Sequence, residues 1–381
     1  MPSRTAVGVI VAALVAIFAP SITSAETMVG AGSTFIDPIL TKWIRVYSEI
    51  EPKDRVNYQA VGSLEGLDRL LSHKVDFAAS DAPLRLKQFD EAACQTSYFP
   101  ATLGAVVVVY NLQEIPPSGQ LKLTGQLLAE IFSGKIKNWN DPAIAAVNPG
   151  TALPARDITV TYRRDGSGTT YTFTDYLTKA SQPWAKDAGR GLLVAWPRGL
   201  PADGNQGVVE TVRAMKGAIG YVELTYAVTN HLTYALIQNA AGNWPEVTPE
   251  TISAAAESMI GKPPPDLRQS ITDAPGPQAY PISSYSYLLL FQNQNDPTKV
   301  SAFGKFVKWV LHDGQNYAHG LDYGAIPNQM IIFADDQLSR IRIASGAAAG
   351  PSCHASLGLA PHQTTMPTVR HVEEAGYLAS D

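Results

Sequence analysis

The sequence predicts an α/β protein long enough for two domains. Three observations carry that prediction. The chain has 381 residues, 45% hydrophobic and 17% charged, an ordinary globular composition. Short apolar runs alternate along it with stretches of helical periodicity. Proline-rich breaks at "GKPPPDL" (Gly261 to Leu267) and "DAPGPQAYP" (Asp273 to Pro281) punctuate those blocks as linkers or surface loops.

The first element is a targeting segment. Arg4 supplies positive charge, Val7 to Ala19 form an apolar core, and "TSA" before Glu26 has the small residues of a cleavage site after Ala25. The apolar run is short for a membrane span, which needs about 20 residues. An uncleaved anchor is the alternative. Residues 1–25 are therefore expected to be a signal peptide, and the mature protein to be exported, soluble and periplasmic. No cysteine stands at the cleavage site to take a lipid.

Helical spacing comes next. Ile36, Ile39, Leu40, Trp43, Ile44 and Tyr47 recur on one face of a helix over 36–50. "GLDRLLSHK" is a second helix, and "FGKFVKWVLHDG" a third that stops at its glycine. Strands are predicted at Lys74 to Asp81, Gly104 to Asn111, Ile158 to Arg163 and Tyr280 to Gln292. After about Ile343 periodicity weakens, and a flexible tail over 346–381 is expected. Cys94 and Cys353 are permitted to pair by export, but their spacing does not decide it.

The net charge is −5, which argues against nucleic acid as a partner. If the ligand is an anion, local donors rather than long-range attraction must hold it.

Three segments place glycine and hydroxyl residues just ahead of an amphipathic helix: "GAGSTFIDP" with Ser33 and Thr34, "VGSLEGLDRLL" with Ser63 at an N-cap, and "DGSGTTYTFTDYL" with Ser167, Gly168 and Thr169. Helix N-termini expose unpaired N–H groups and carry partial positive charge, so they favour anions. Each is also compatible with ordinary capping. The third segment follows Arg163 and Arg164, either of which can offer a planar fork of donors to a tetrahedral oxyanion, with Asp165 to hold it. A surface ion pair beside a turn is the alternative.

Asp81 ends the "DFAASDAP" strand. A carboxylate beside an oxyanion makes sense only if the anion brings a proton. Monohydrogen phosphate does so, whereas sulfate would leave two acceptors facing each other. Capping of the following turn is the simpler role for Asp81.

Enzyme signatures are absent. "DGSGT" is not a G-x-S-x-G elbow, no G-x-x-x-x-G-K-[ST] loop occurs, and "GAGSTF" lacks a dinucleotide fingerprint's third glycine. His354, His362 and His371 gather near Cys353 only in the tail, where a metal site competes with an incidental cluster.

The ordered set "GAGSTF", "NYQAVGS", "VDFAASDAPL", "IFSGKIKNWND", "RRDGSGTTYTFTDYL", "GAIGYVE" and "YPISS" resembles the periplasmic phosphate-binding proteins of phosphate-specific ABC transporters, from about Met28 to Pro327. The resemblance implies a two-lobed binding protein of type II, with a ligand cleft between α/β lobes and two crossing segments as hinge. Lobe I is placed at 26–106 plus 282–345, and lobe II at 107–281. It implies inorganic phosphate as ligand, membrane permease subunits as partners, a monomer, and neither catalysis, cofactor nor metal. The expected phosphate-binding residues are Ser33, Thr34, Phe35, Ser63, Asp81, Arg163, Ser167, Gly168 and Thr169, with Asp165 supporting the arginine. Leu64 and Glu65 depart from the family's "GSSGG", removing a hydroxyl and adding a negative charge near the cleft. A secreted phosphatase, a receptor for sulfate or molybdate, and an adhesin keeping the fold are the rival readings.

Overall fold

The computed structural model describes residues 26–86, 96–115, 120–261, 267–343 and 377–379. The signal segment, both cysteines, the three tail histidines and most of Gly261 to Leu267 lie outside the described residues.

One nine-stranded mixed sheet organises the chain. Its strands are β1 (Glu26–Gly32), β2 (Asp54–Ala60), β3 (Phe77–Ser80), β4 (Thr96–Tyr110), β5 (Thr159–Arg163), β6 (Leu200–Ala202), β7 (Ala218–Glu223), β8 (Thr233–Tyr234) and β9 (Ser283–Phe291). The order is β2-β1-β3-β9-β4-β7-β5-β6, with β8 beside β4. Strands β1, β2 and β3 run parallel, as do β5, β6 and β7, while β9 and β4 are antiparallel to their neighbours. The α/β class is as the sequence predicts.

Strand β4 belongs to both halves of the sheet. From Thr96 to Ala105 it pairs with β9, and from Val106 to Tyr110 with β7. Its residues from Ser97 onward are buried. That is why "GAVVVVYN" is a continuous apolar run rather than an alternating one. Where β4 changes partner, the Val106 N–H donates to the Ile282 carbonyl at 2.9 Å. Two chain segments thus lie side by side between the halves.

Six helices matter for the site: α1 (Asp37–Ile50), α2 (Ser63–Leu71), α3 (Gly168–Ala180), α4 (Gly204–Ala214), α5 (Leu224–Thr229) and α6 (Pro297–Leu311). Helix α1 starts at Asp37 with Pro38 in its first turn and buries Ile39, Leu40, Trp43 and Tyr47, the predicted stripe. Helix α6 departs from expectation. It begins at Pro297, where Asp296 caps the Thr298 and Lys299 N–H groups, and it ends at Leu311. Gly314 falls in a following 3-10 turn and does not stop the helix.

Helix α3 is buried on nearly every side of its first ten residues. Buried Asp175 anchors it, accepting from Arg190 at 2.9 Å and from Ser270 at 2.6 Å. The loop from Asp273 to Pro281 packs inward through Ala274, Ala279 and Tyr280, and it leads into β9.

Candidate functional site

The three hydroxyl-rich segments converge where the strands of the two halves end. The loop after β1 carries Ser33, Thr34 and Phe35. Its backbone is tied to β3 by the Ser33 N–H to Ala79 carbonyl bond at 2.9 Å. Tyr226 and Tyr323 clamp it through the Thr34 carbonyl at 2.9 Å and the Phe35 carbonyl at 2.6 Å. Ser33 Oγ accepts from the Phe35 N–H at 2.9 Å and donates to Asp81.

Asp81 follows β3 directly and is completely buried. Among the described residues it caps no N–H of the turn after it; Ser80 Oγ accepts from the Ala82 N–H instead. The Asp81 carboxylate accepts from Ser33 and from Ser286 of β9, the latter at 2.6 Å. Burial pushes its pKa up to about 6, against the pull of the Ser286 and Ser33 hydroxyls and the Arg163 charge.

Arg163 ends β5, where its N–H donates to the Tyr221 hydroxyl at 3.1 Å. Its guanidinium forms a two-pronged pair with Asp165, with Nε to Oδ1 at 2.6 Å. Burial alone would raise the Asp165 pKa, but the Arg163 charge and hydrogen bonds, with the Gly204 N–H, bring it below the ordinary range. Arg164 points away and pairs with Asp203 at the surface. Of the two arginines, only Arg163 enters the site.

Ser167 caps α3, accepting from the Thr170 N–H at 3.1 Å, so this segment behaves as the capping reading predicts. Gly168 and Thr169 form the first turn, whose N–H groups have no intrahelical acceptor. Ser63 differs. The cap of α2 is Gly62, at φ 97°, and Ser63 is the first helical residue. A side chain at residue 62 would also press on Asp165 Oδ2, 2.7 Å from the added Cβ. With glycine taking the cap, Ser63 Oγ is free to accept from the Gly168 N–H at 3.1 Å. Gly168 has no room for a side chain. A Cβ there would lie 2.3 Å from Asp81 Oδ2 and 2.6 Å from Ser63 Oγ.

The structure therefore brings Ser33, Thr34, Ser63, Asp81, Arg163, Gly168 and Thr169 into one buried cluster, with Asp165 partly exposed at its edge. Phe35 contributes its backbone N–H, and Ser167 contributes the cap. Leu64 lies beside Gly166, to whose carbonyl its N–H donates at 3.0 Å. Glu65 turns outward to Arg69 at 2.7 Å, so its charge is matched at the surface and not delivered to the cleft.

Four residues escaped sequence reasoning. Ser286 reaches Asp81 from β9, and Tyr226 clamps the first loop. Tyr221 seats Arg163 and stacks on Phe173 at 4.5 Å. Asn205, fully buried at the head of α4, donates to Thr34 Oγ1 at 2.9 Å. The signal for Asn205 was available: "DGNQG" repeats the small-polar opening of the other three helices. A separate surface cavity of about 490 Å³, lined by Glu130, Lys135 and Trp184, gathers none of these groups.

A family pattern described as a PBP superfamily domain matches residues 19–313. A phosphate-binding protein PstS of Xylella fastidiosa (strain 9a5c) is 40% identical over 302 residues, covering 79% of this chain and 82% of its own. One from Haemophilus influenzae is 41% identical over 307 residues, covering 81% and 91%. Among solved structures, a phosphate-binding protein from Stenotrophomonas maltophilia superposes with a TM-score of 0.61 at 18% identity, covering 82% of this chain and 94% of that one.

Proposed function

The chain belongs to the family of phosphate-binding proteins within the PBP superfamily, and from that premise we propose that it captures inorganic phosphate for an ABC importer. The observation that carries this reading is the setting of Asp81. A buried carboxylate stands among hydroxyl groups, facing the first turn of α3 and the Arg163 guanidinium. Such a site suits an anion that is rich in acceptors and also carries one hydrogen.

In the proposed complex the N–H groups of Phe35, Gly168 and Thr169, the hydroxyls of Ser33, Thr34, Ser63, Ser167 and Thr169, and the Arg163 fork donate to phosphate oxygens. Asp81 accepts the phosphate proton, and Asp165 holds the arginine. Several of these groups also satisfy one another: the Phe35 N–H meets Ser33, and the Gly168 N–H meets Ser63. Phosphate would exchange those partners for its own oxygens.

The lobes are proposed at 26–106 plus 282–345 and at 107–281, hinged where β4 changes partner beside Ile282. Ligand donors come from both lobes, so phosphate stabilises the shut form, and that form is what the permease subunits would engage. The chain is proposed to act as an exported monomer released from its signal peptide near Ala25. Catalysis is not part of this reading. Ser167, the hydroxyl a hydrolase reading would use, has its oxygen engaged at the Thr170 N–H.

Calorimetric titration with phosphate, arsenate and sulfate tests the proposal. Phosphate should bind, arsenate should compete because it has the same shape and proton, and sulfate should not. Equal binding of sulfate would overturn the role of Asp81.

A further inference from the structure

We propose that Asn205 sets the hydrogen-bond polarity of the site, holding the Thr34 and Thr169 hydroxyls as acceptors toward itself so that both their protons face the anion. This rests on the phosphate reading above.

Asn205 is fully buried, and its amide has one orientation available. The Glu223 N–H donates to Oδ1 at 3.1 Å, and a backbone N–H cannot reverse its role. The amide NH2 therefore faces the two threonines. It donates to Thr34 Oγ1 at 2.9 Å and, over a longer reach, to Thr169 Oγ1 at 3.5 Å. Thr169 Oγ1 also accepts from Arg163 Nη1 at 3.4 Å. A hydroxyl has two lone pairs and one proton. With both lone pairs of Thr169 occupied by donors, its proton has to point elsewhere. Thr34 is constrained the same way on one side. Among the described residues, neither hydroxyl has an acceptor for its proton.

The two threonines come from opposite halves: Thr34 from the loop after β1, Thr169 from the head of α3. Asn205 ties them across the cleft and turns two ambivalent groups into dedicated donors. The ionisable groups around it leave that assignment intact. Arg163 is itself a donor, and the Asp165 carboxylate takes Arg163 and the Gly204 N–H. Asp81 takes Ser33 and Ser286. The Glu223 carboxylate is turned to the Thr225 N–H and hydroxyl at 3.0 and 3.2 Å.

A double-mutant cycle on the full mature protein, read by phosphate titration, tests this. Asn205→Ala should weaken binding roughly tenfold, the cost of two unguided hydroxyls. In a Thr34→Val/Thr169→Val background, the same change should alter affinity less than about twofold, because the groups through which Asn205 acts are gone. An undiminished tenfold loss in that background would overturn the inference and assign Asn205 to packing. Asn205→Asp keeps the shape and the acceptor for Glu223, and circular dichroism confirms that the variant is folded before it is titrated. A carboxylate would draw the hydroxyl protons to itself and repel the anion, so binding should fall on the order of 100-fold, while its burial lowers the thermal midpoint at neutral pH. Wild-type affinity in Asn205→Asp would also overturn the inference. Failure of the wild type to bind phosphate would instead bring down the phosphate reading, and this one with it.

Discussion

Asp81→Asn should stabilise the ligand-free protein while harming its selectivity, and the size of the gain follows from one buried group. The Asp81 pKa is raised from 3.8 to about 6, chiefly by burial. Between those two values the folded chain keeps a proton that the unfolded chain has released. Wild-type stability therefore falls as pH rises through that window and is level above it. About two pH units at ~1.4 kcal/mol each give a penalty on the order of 3 kcal/mol at pH 8. An asparagine carries no such penalty. It does present one donor where Ser33 and Ser286 both donate now, so one hydroxyl must turn, at about 1 kcal/mol. The net gain should be roughly 2 kcal/mol at pH 8 and turn into a loss of up to about 1 kcal/mol near pH 4, where the penalty has gone and the turned hydroxyl remains. Urea unfolding of both proteins in phosphate-free buffer at the two pH values measures it, with tryptophan fluorescence as the signal. A difference independent of pH, or a wild type more stable than the variant at pH 8, would refute the reasoning. The same variant should lose its preference for phosphate over sulfate in a competition titration.

Three further outcomes are expected. Gly168→Ala places a methyl 2.3 Å from Asp81 Oδ2, so α3 must retreat; this should cost ~1–3 kcal/mol in stability and reduce phosphate affinity at least about tenfold in calorimetry. Arg163→Lys gives up the two-pronged pair with Asp165 for a point charge, and should weaken phosphate binding on the order of 10- to 100-fold. Glu65→Ala removes an exposed partner of Arg69, and should leave stability within about 0.5 kcal/mol and affinity within about twofold.

Much of the fold is legible because burial writes itself as pattern. The valines at 106–109 are buried on both faces, and the apolar run announces a strand. That strand's first eight residues were illegible for a physical reason. They include Pro100 with buried Ser97 and Thr102, and Pro100 stands where the register against β9 shifts at a bulge. In the site, the residues named from sequence are those whose neighbours along the chain explain them: Ser167 before its helix, and Asp165 two residues after Arg163. Residues whose meaning comes from across the sheet were lost. Ser286 is one small hydroxyl in an apolar strand, and nothing local says that it faces Asp81. Ser63 was found but given the wrong reason, because spacing alone cannot show that Gly62 takes the cap and sends the hydroxyl to Gly168.

The charges of the site leave one place for selectivity to act. Arg163 and Asp165 cancel, Asp81 remains, and the head of α3 contributes roughly half a positive charge. A dianion entering there is therefore not neutralised by side chains, in keeping with a chain whose net charge is −5. The conflict is eased only if a hydrogen lies between the anion and Asp81, and an acid raised to about 6 by burial readily shares one. Sulfate matches the shape and the donors but brings no hydrogen, so it would set oxygen against oxygen in a buried site. On the proposed reading, discrimination resides in a single missing proton. The same burial that makes Asp81 costly in the empty protein is what makes that proton count.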